Sequence, residues 1–208
     1  MTGRREQRRL LQQDLSRQQL LDAAEQVFGR KGFHETTLKE IAELAEYAVG
    51  SVYSFFESKD HLFEQIFVRR GEEFLPGLEA ILRDRGREPL AQLHDVVDFE
   101  VGFFRRHAHF GRLYLRYSSA VSLAADRAID VAMRGRYETA MRLQSELFER
   151  GQRAGTFRDG DPAVLARLLS GLVSAYQALD PEVVADDGEG GHLPLEDLHE
   201  IVQRAFAR

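Results

Sequence analysis

Between Thr36 and Lys59 the chain gathers short hydroxyls, a phenol and an ammonium: Thr36, Thr37, Ser51, Tyr53, Ser54 and Lys59, with Gly50 and Val49 among them. Hydroxyls and helix N-termini donate to phosphate oxygens, and a short helix can carry base-edge contacts into a groove, so this set suits nucleic-acid recognition. Covalent chemistry has no comparable constellation. The 208 residues contain no Cys, which removes thiolate nucleophiles, disulfides and Cys-ligated zinc. No Ser-His-Asp set, phosphate loop or metal-ligand spacing stands out, so the chain is expected not to be an enzyme and to hold neither metal nor cofactor. His107 and His109 are two apart and face different sides of a helix, and His34, His61, His94, His192 and His199 are scattered.

The elements that must hold the hydroxyls are short helices. Leu20, Leu21, Ala24, Val27 and Phe28 recur at helical spacing from Arg17 to Arg30, and Gly32 ends the run. Thr37-Leu38-Lys39-Glu40 has the form of a capping box and predicts a helix of about two turns burying Leu38, Ile41, Ala42 and Ala45. Glu46-Tyr47-Ala48 leaves room only for a turn before a second short helix from Val49 to Phe55. Ser58 and Asp60 then start a longer helix carrying Leu62, Phe63, Ile66 and Phe67. A helix-turn-helix is the expected arrangement.

The formal net charge of −6 argues against a general nucleic-acid coat protein, although not against a sequence reader. Positive charge is placed locally. Arg4, Arg5, Arg8 and Arg9 sit in an expected flexible arm over residues 1–16, a candidate for minor-groove or phosphate contact, and the three lysines (Lys31, Lys39, Lys59) lie in the N-terminal third. No uncharged apolar run of about 18 residues and no secretory leader are present, so the expected location is the cytoplasm, away from membranes.

Breaks in helical patterning at Pro76-Gly77 and across residues 83–89 predict a domain boundary, with a DNA-binding domain over 17–67 and a larger helical domain over 68–208. Helical patterns follow at about 90–107, 109–117, 121–153, 162–179 and 194–207, and the expected fold class is all-α. Residues 180–191 are acidic and Gly-rich and read as a loop; Asp186, Asp187 and Glu189 are not expected to form a metal site.

Leu21, Ala23-Ala24, Val27-Phe28, Gly32-Phe33, Thr36-Thr37-Leu38, Ile41-Ala42, Ala45, Gly50-Ser51-Val52-Tyr53, Phe56, Ser58-Lys59 and Leu62-Phe63 together resemble the DNA-binding domain of TetR-family transcriptional regulators. The resemblance covers about residues 17–67. It implies that Thr36, Thr37, Val49, Gly50, Ser51, Tyr53, Ser54 and Lys59 face DNA, with Lys59 as a phosphate anchor. Where the family has a turn Gly, a capping Ser and often a basic residue, this chain has Glu46, Ala48 and Val49. A missing cap costs roughly 1 kcal/mol, and Val49 offers only an apolar contact to a thymine methyl.

The same resemblance implies a C-terminal domain that dimerises and encloses a small effector, with repression as the commoner outcome. Its expected dimer elements are the last two long helices, through Leu165, Leu168, Leu169, Leu172, Val173, Leu198, Ile201, Val202 and Ala205. A palindromic operator on double-stranded DNA needs two reading heads about 34–36 Å apart, which a two-fold homodimer supplies. The densest aromatic stretch supplies the expected pocket: Glu100, Phe103, Phe104, His107, Phe110, Leu113, Tyr114 and Tyr117, joined by Tyr176 and Gln177, for a mostly apolar effector with one or two polar groups. The alternative is a helical protein whose C-terminal domain binds a protein partner and no small ligand.

Overall fold

The computed structural model describes residues 3–117, 127–185 and 193–208. Its helices are α1 (Arg4–Lys31), α2 (Leu38–Leu44), α3 (Val49–Phe55), α4 (Lys59–Arg83), α5 (Pro89–Arg106), α6 (Ala108–Tyr117), α7 (Arg127–Arg153), α8 (Pro162–Leu179), α9 (Pro181–Val184) and α10 (Leu195–Phe206). The one β feature among the described residues is an isolated antiparallel bridge between Phe157 and Ala207. Asp186, Asp187 and Glu189 lie outside the described residues.

Three helices share one kind of start. Glu88, Asp161 and Asp180 each accept backbone N–H bonds ahead of Pro89, Pro162 and Pro181. Proline loses nothing at a first helical position, where its missing N–H would have been an orphan. The break expected around Pro89 is therefore a helix beginning.

Two expectations fail along α1 and α4. The arm expected to be flexible is helical from Arg4, because after Gly3 the sequence contains no Gly or Pro until Gly29 and favours straight-chain residues and Leu. The break expected at Pro76-Gly77 is absent: α4 runs through both residues. Pro76 lies on the exposed side, and Gly77 sits beneath the Phe99 ring, where an added Cβ would meet ring carbons at 2.5 Å. Buried Leu78 and Leu82 hold the helix to the body beyond that point.

Two apolar clusters result. The head cluster joins Leu20, Phe28, Ile41, Val52, Phe56 and Phe63 with Phe103, Phe104, Phe110 and Leu113 from α5 and α6. The body cluster joins α4, α5, α7, α8 and α10 through residues such as Leu82, Val97, Phe148, Leu169 and Phe206. Phe74 and Phe99 touch both. Head and body are thus continuous through α4 and α5.

Candidate nucleic-acid interface

The capping box forms as its residues dictate. Thr37 Oγ1 accepts from the Glu40 amide at 3.2 Å while the Glu40 carboxylate accepts from the Thr37 amide at 3.0 Å. Lys31 also contacts Glu40, and that contact, reinforced by the Thr37 bonds, holds the Glu40 carboxyl down at about 2. The start of α2 is fixed with Thr37 exposed. Thr36 is different: it is 1% exposed and its hydroxyl donates to the Gly32 carbonyl at 2.7 Å. The expected DNA contact by Thr36 is corrected to a bond that closes the α1–α2 loop.

Glu46 ends α2 with φ of 61°, the one positive-φ non-glycine residue among those described. The Tyr47 amide donates back to the Ala42 carbonyl at 2.8 Å, closing a Schellman turn in the place where glycine is normally favoured. The Tyr47 hydroxyl reaches α1, donating to Gln19 Oε1 at 2.7 Å and lying 2.9 Å from Ser16 Oγ. Ala48 starts α3 without a side-chain cap. Val52 and Phe56 anchor α3 by burial, and Tyr53, 58% exposed, points the other way with Val49, Gly50 and Ser54. Ser51 is half-buried, and the Ser54 hydroxyl donates to its carbonyl at 2.6 Å. Apart from its chain neighbours and its own helix backbone, no described heavy atom lies within 4 Å of where a Gly50 Cβ would stand, so the surface there is open to close approach.

Lys59, expected as a phosphate anchor, is partly exposed and also bonded within the head. Its ammonium donates to the Phe33 carbonyl at 2.9 Å and the Thr36 carbonyl at 3.0 Å, and it sits 4.4 Å from the centre of the Phe33 ring. Two carbonyl ends of the α1–α2 loop and an aromatic face attract the cation inward, where it staples that loop to α4. Lys39, by contrast, is a surface residue that the motif did not single out. It stands on the exposed face of α2 with only a 3.6 Å pair to Glu43, and its position opposite buried Ile41 and Ala42 was the available sequence signal.

The head is tied to the body by polar contacts that sequence alone does not pair. Glu25 on α1, 5% exposed, accepts from both Arg69 and Arg70 on α4 at 2.8 to 3.0 Å. The Phe33 amide donates to the Tyr117 hydroxyl at 3.0 Å. His107 packs 4.7 Å from the Phe103 ring and lies 3.5 Å from Glu73, with burial and Arg70 lowering its pKa.

Several of the remaining pocket candidates pack together, with Tyr114 5.0 Å from the Phe104 ring and Tyr117 against the same cluster. Phe103, Phe104, Phe110 and Leu113 are buried ring packing, with Phe104 and Phe110 stacked at 5.9 Å. Tyr176 is turned to the Leu193 carbonyl at 2.6 Å and to Arg105, which also pairs with buried Asp180 at 2.7 Å. Asp180, expected in a loose loop, therefore anchors α9. Glu100 forms the polar centre of the body: Gln144 Nε2 donates to it at 2.7 Å, and burial pushes its carboxyl up to about 7. Burial, and then the Glu100 charge, raise the Tyr114 phenol. Gln144 Oε1 and both amide atoms of Gln177 are buried without a hydrogen-bond partner among the described residues.

The dimer expectation divides. Leu165, Leu169, Val173, Leu198 and Val202 are buried within the protomer, and Leu172 and Ala205 are half-buried. Leu168 and Ile201 are 55% and 51% exposed. The physical reason is that α8 is apolar all round, so a pattern that looked like one wide face is an inward stripe and an outward one. By length and composition α8 could also cross a membrane, yet it carries Arg167 and its inner stripe is packed in the body cluster.

Comparison with known proteins agrees with this geometry. Residues 20–66 match the family described as bacterial regulatory proteins, tetR family. The HTH-type transcriptional repressor NicS of Pseudomonas putida is 28% identical over 73% of this chain and 70% of its own length. A TetR-like transcriptional regulator from Rhodococcus sp. RHA1 is 28% identical, with a TM-score of 0.69 over 90% of this chain and 91% of that one. AibR, solved in complex with isovaleryl coenzyme A and operator DNA, shares the fold at a TM-score of 0.73 and 17% identity, covering 91% and 97% of the two chains. Residues 20–66 thus form a capped helix-turn-helix that matches the tetR family of bacterial regulatory proteins, on a chain similar along most of its length to transcriptional regulators of this kind.

Proposed function

We propose that this regulator is a homodimeric repressor that reads a palindromic operator in the cytoplasm through the outer faces of α2 and α3, and leaves it when a small effector enters the body. The observation that carries the reading is the division of α3 into a buried side, Val52 and Phe56, and an outward side, Val49, Gly50, Tyr53 and Ser54. An outward phenol and an open glycine are what a recognition helix needs for phosphate grip and close approach. Thr37 and Lys39 extend the same surface along α2.

The outward stripe of α8, with Val164, Leu168 and Leu179, and Ile201 on α10 supports a two-fold interface, because an exposed apolar stripe of this kind is stabilised by burial against a copy of itself. The polar centre at Glu100, Gln144 and Tyr114 supports an apolar effector with one hydrogen-bonding group, as AibR illustrates a ligand and operator DNA held by the same fold. An effector favouring the wrong head spacing lowers DNA affinity by its differential affinity for the two states, about 5- to 150-fold for a coupling of about 1–3 kcal/mol.

Selection of bound sequences from random duplex DNA tests the reading. Recovery of a palindrome with half-sites about one turn apart, abolished in Tyr53→Ala with melting unchanged, is the expected result. Failure to enrich any sequence would count against it, and wild-type affinity in Tyr53→Ala would remove α3 as the reader. A thermal-shift screen of apolar metabolites tests the effector, whose binding raises stability with concentration.

A further inference from the structure

The first three turns of α1 reach beyond the head. Residues 4–15 are almost all exposed, and packing begins only around Ser16 and Arg17. At about 100° per residue, Arg4, Arg8, Arg5 and Arg9 fall within one arc of about 140°. The acids of this segment, Glu6 and Asp14, lie outside that arc, and Arg9 is paired with Glu6 at 2.6 Å. Among the described residues, Arg4, Arg5 and Arg8 have no ion-pair partner.

The direction of this face is fixed by Tyr47. Ser16 and Gln19, the two residues its hydroxyl meets, lie within the same arc as the arginines. The arginine face of α1 is therefore the face turned toward the α2–α3 turn, next to the start of the recognition helix. Arg17, stacked 5.4 Å from the Phe56 ring and bonded to Gln65, fixes α1 against the far end of α3 and against α4. The segment is a continuous helical extension of the head with a set helical phase.

The geometry points to a second DNA contact: Arg4, Arg5 and Arg8 bind backbone phosphates of the duplex flanking the sequence that α3 reads. This rests on the operator reading above and extends it. A helix about 10–12 Å across does not enter a minor groove about 6 Å wide, and the major groove at the half-site is filled by α3. Guanidinium groups on a helix lying along the duplex can reach phosphates, which is sequence-independent contact and adds salt dependence.

The test uses the full chain and the duplex most enriched by selection, in two lengths: trimmed at the outer edges of the half-sites, and carrying about one extra turn of random sequence on each side. Affinity is measured across a salt series for wild type, for Arg4→Ala/Arg5→Ala/Arg8→Ala, and for a variant with two alanines inserted between Gln12 and Gln13. The insertion keeps the helix and all four arginines but turns their face by about 200°. Wild type is expected to bind the long duplex more tightly than the trimmed one, and both variants to forgo that advantage. On the long duplex the log–log salt slope should fall by about 0.9 for each phosphate no longer neutralised, or about 5 for three arginines on each of two heads. On the trimmed duplex the three proteins should be alike, which shows the reading head intact.

Equal affinity and slope for wild type and the triple variant on the long duplex would overturn the flank contact while leaving the operator reading in place. Weaker binding by the triple variant but not by the insertion would overturn the fixed helical phase in favour of a loose tail. If the arginines mattered only for binding phosphatidylglycerol vesicles, the partner would be an anionic membrane surface and the DNA proposal would fall. No sequence-specific binding by wild type to either duplex would remove both readings together.

Discussion

Gln144 on α7 donates to the Glu100 carboxylate on α5 at 2.7 Å, a bond across the body between residues that are both buried. It does not fully compensate the carboxylate. Burial raises the Glu100 carboxyl from 4.5 to about 7, so the folded protein holds this proton more tightly than the unfolded chain does. The stability linked to it is fully present below pH 4.5 and is lost as pH rises through about 7, the decrease reaching roughly 3 kcal/mol at higher pH. Glu100→Gln keeps the bond from Gln144 and removes the ionisation. Urea unfolding should show the variant clearly more stable than wild type at pH 8 and close to it at pH 4.5. A difference independent of pH would mean that Glu100 is not the titrating group.

Lys59 offers a contrast between holding the head together and holding DNA. Lys59→Met leaves the Phe33 and Thr36 carbonyls without their donor and removes a cation from the Phe33 ring. Removing these bonds should cost about 1–3 kcal/mol of stability. A phosphate contact would instead appear as a salt slope lower by about 1 per head. The expected outcome is a lower melting temperature with an unchanged slope, and the reverse pattern would restore Lys59 to the DNA surface.

Glu46 combines backbone strain with a negative charge beside the recognition helix. A side chain in the left-handed region costs about 1–2 kcal/mol, of which glycine's greater unfolded-state freedom returns a part. Glu46→Gly should therefore stabilise the head by up to about 1 kcal/mol and also bind DNA more tightly. Glu46→Gln keeps the strained φ of 61° and removes only the charge, so it should tighten DNA binding without raising the melting temperature. If both variants behave alike in melting, strain is not stored at this turn.

Much of the head is legible in local patterns. Thr37 and Glu40 sit three apart and can only satisfy each other's amides in one way, and Val52 in α3 and Phe56 at its C-terminal cap are four apart and buried while Tyr53 is exposed. Less legible are contacts whose partners are remote in sequence. Nothing near Lys59 announces that it will turn to carbonyls more than twenty residues earlier, and nothing near Glu100 announces Gln144 on another helix. Gly77 resembles a break because the ring that covers it, Phe99, arrives from α5. The aromatic stretch from Phe103 to Tyr117 has a composition that fits a pocket or a core equally well, and its rings are divided between core packing and the Tyr117 contact to the head.

The apolar face of α8 allows folding and assembly to be separated by neighbouring residues. Leu168 points outward and Leu169 inward, one step along the same helix. Leu169→Ala removes buried methyl groups from the body cluster and should cost about 2–5 kcal/mol of unfolding free energy. Leu168→Glu leaves that cluster intact and places a charge in the middle of the outward stripe, where a symmetric interface would bring it near its own copy. Sedimentation should then show a folded monomer for Leu168→Glu, with operator affinity greatly reduced because each head binds its half-site alone. A Leu168→Glu protein that remained dimeric would move the two-fold interface away from α8, and the exposed Val164, Leu168 and Leu179 would need a different partner.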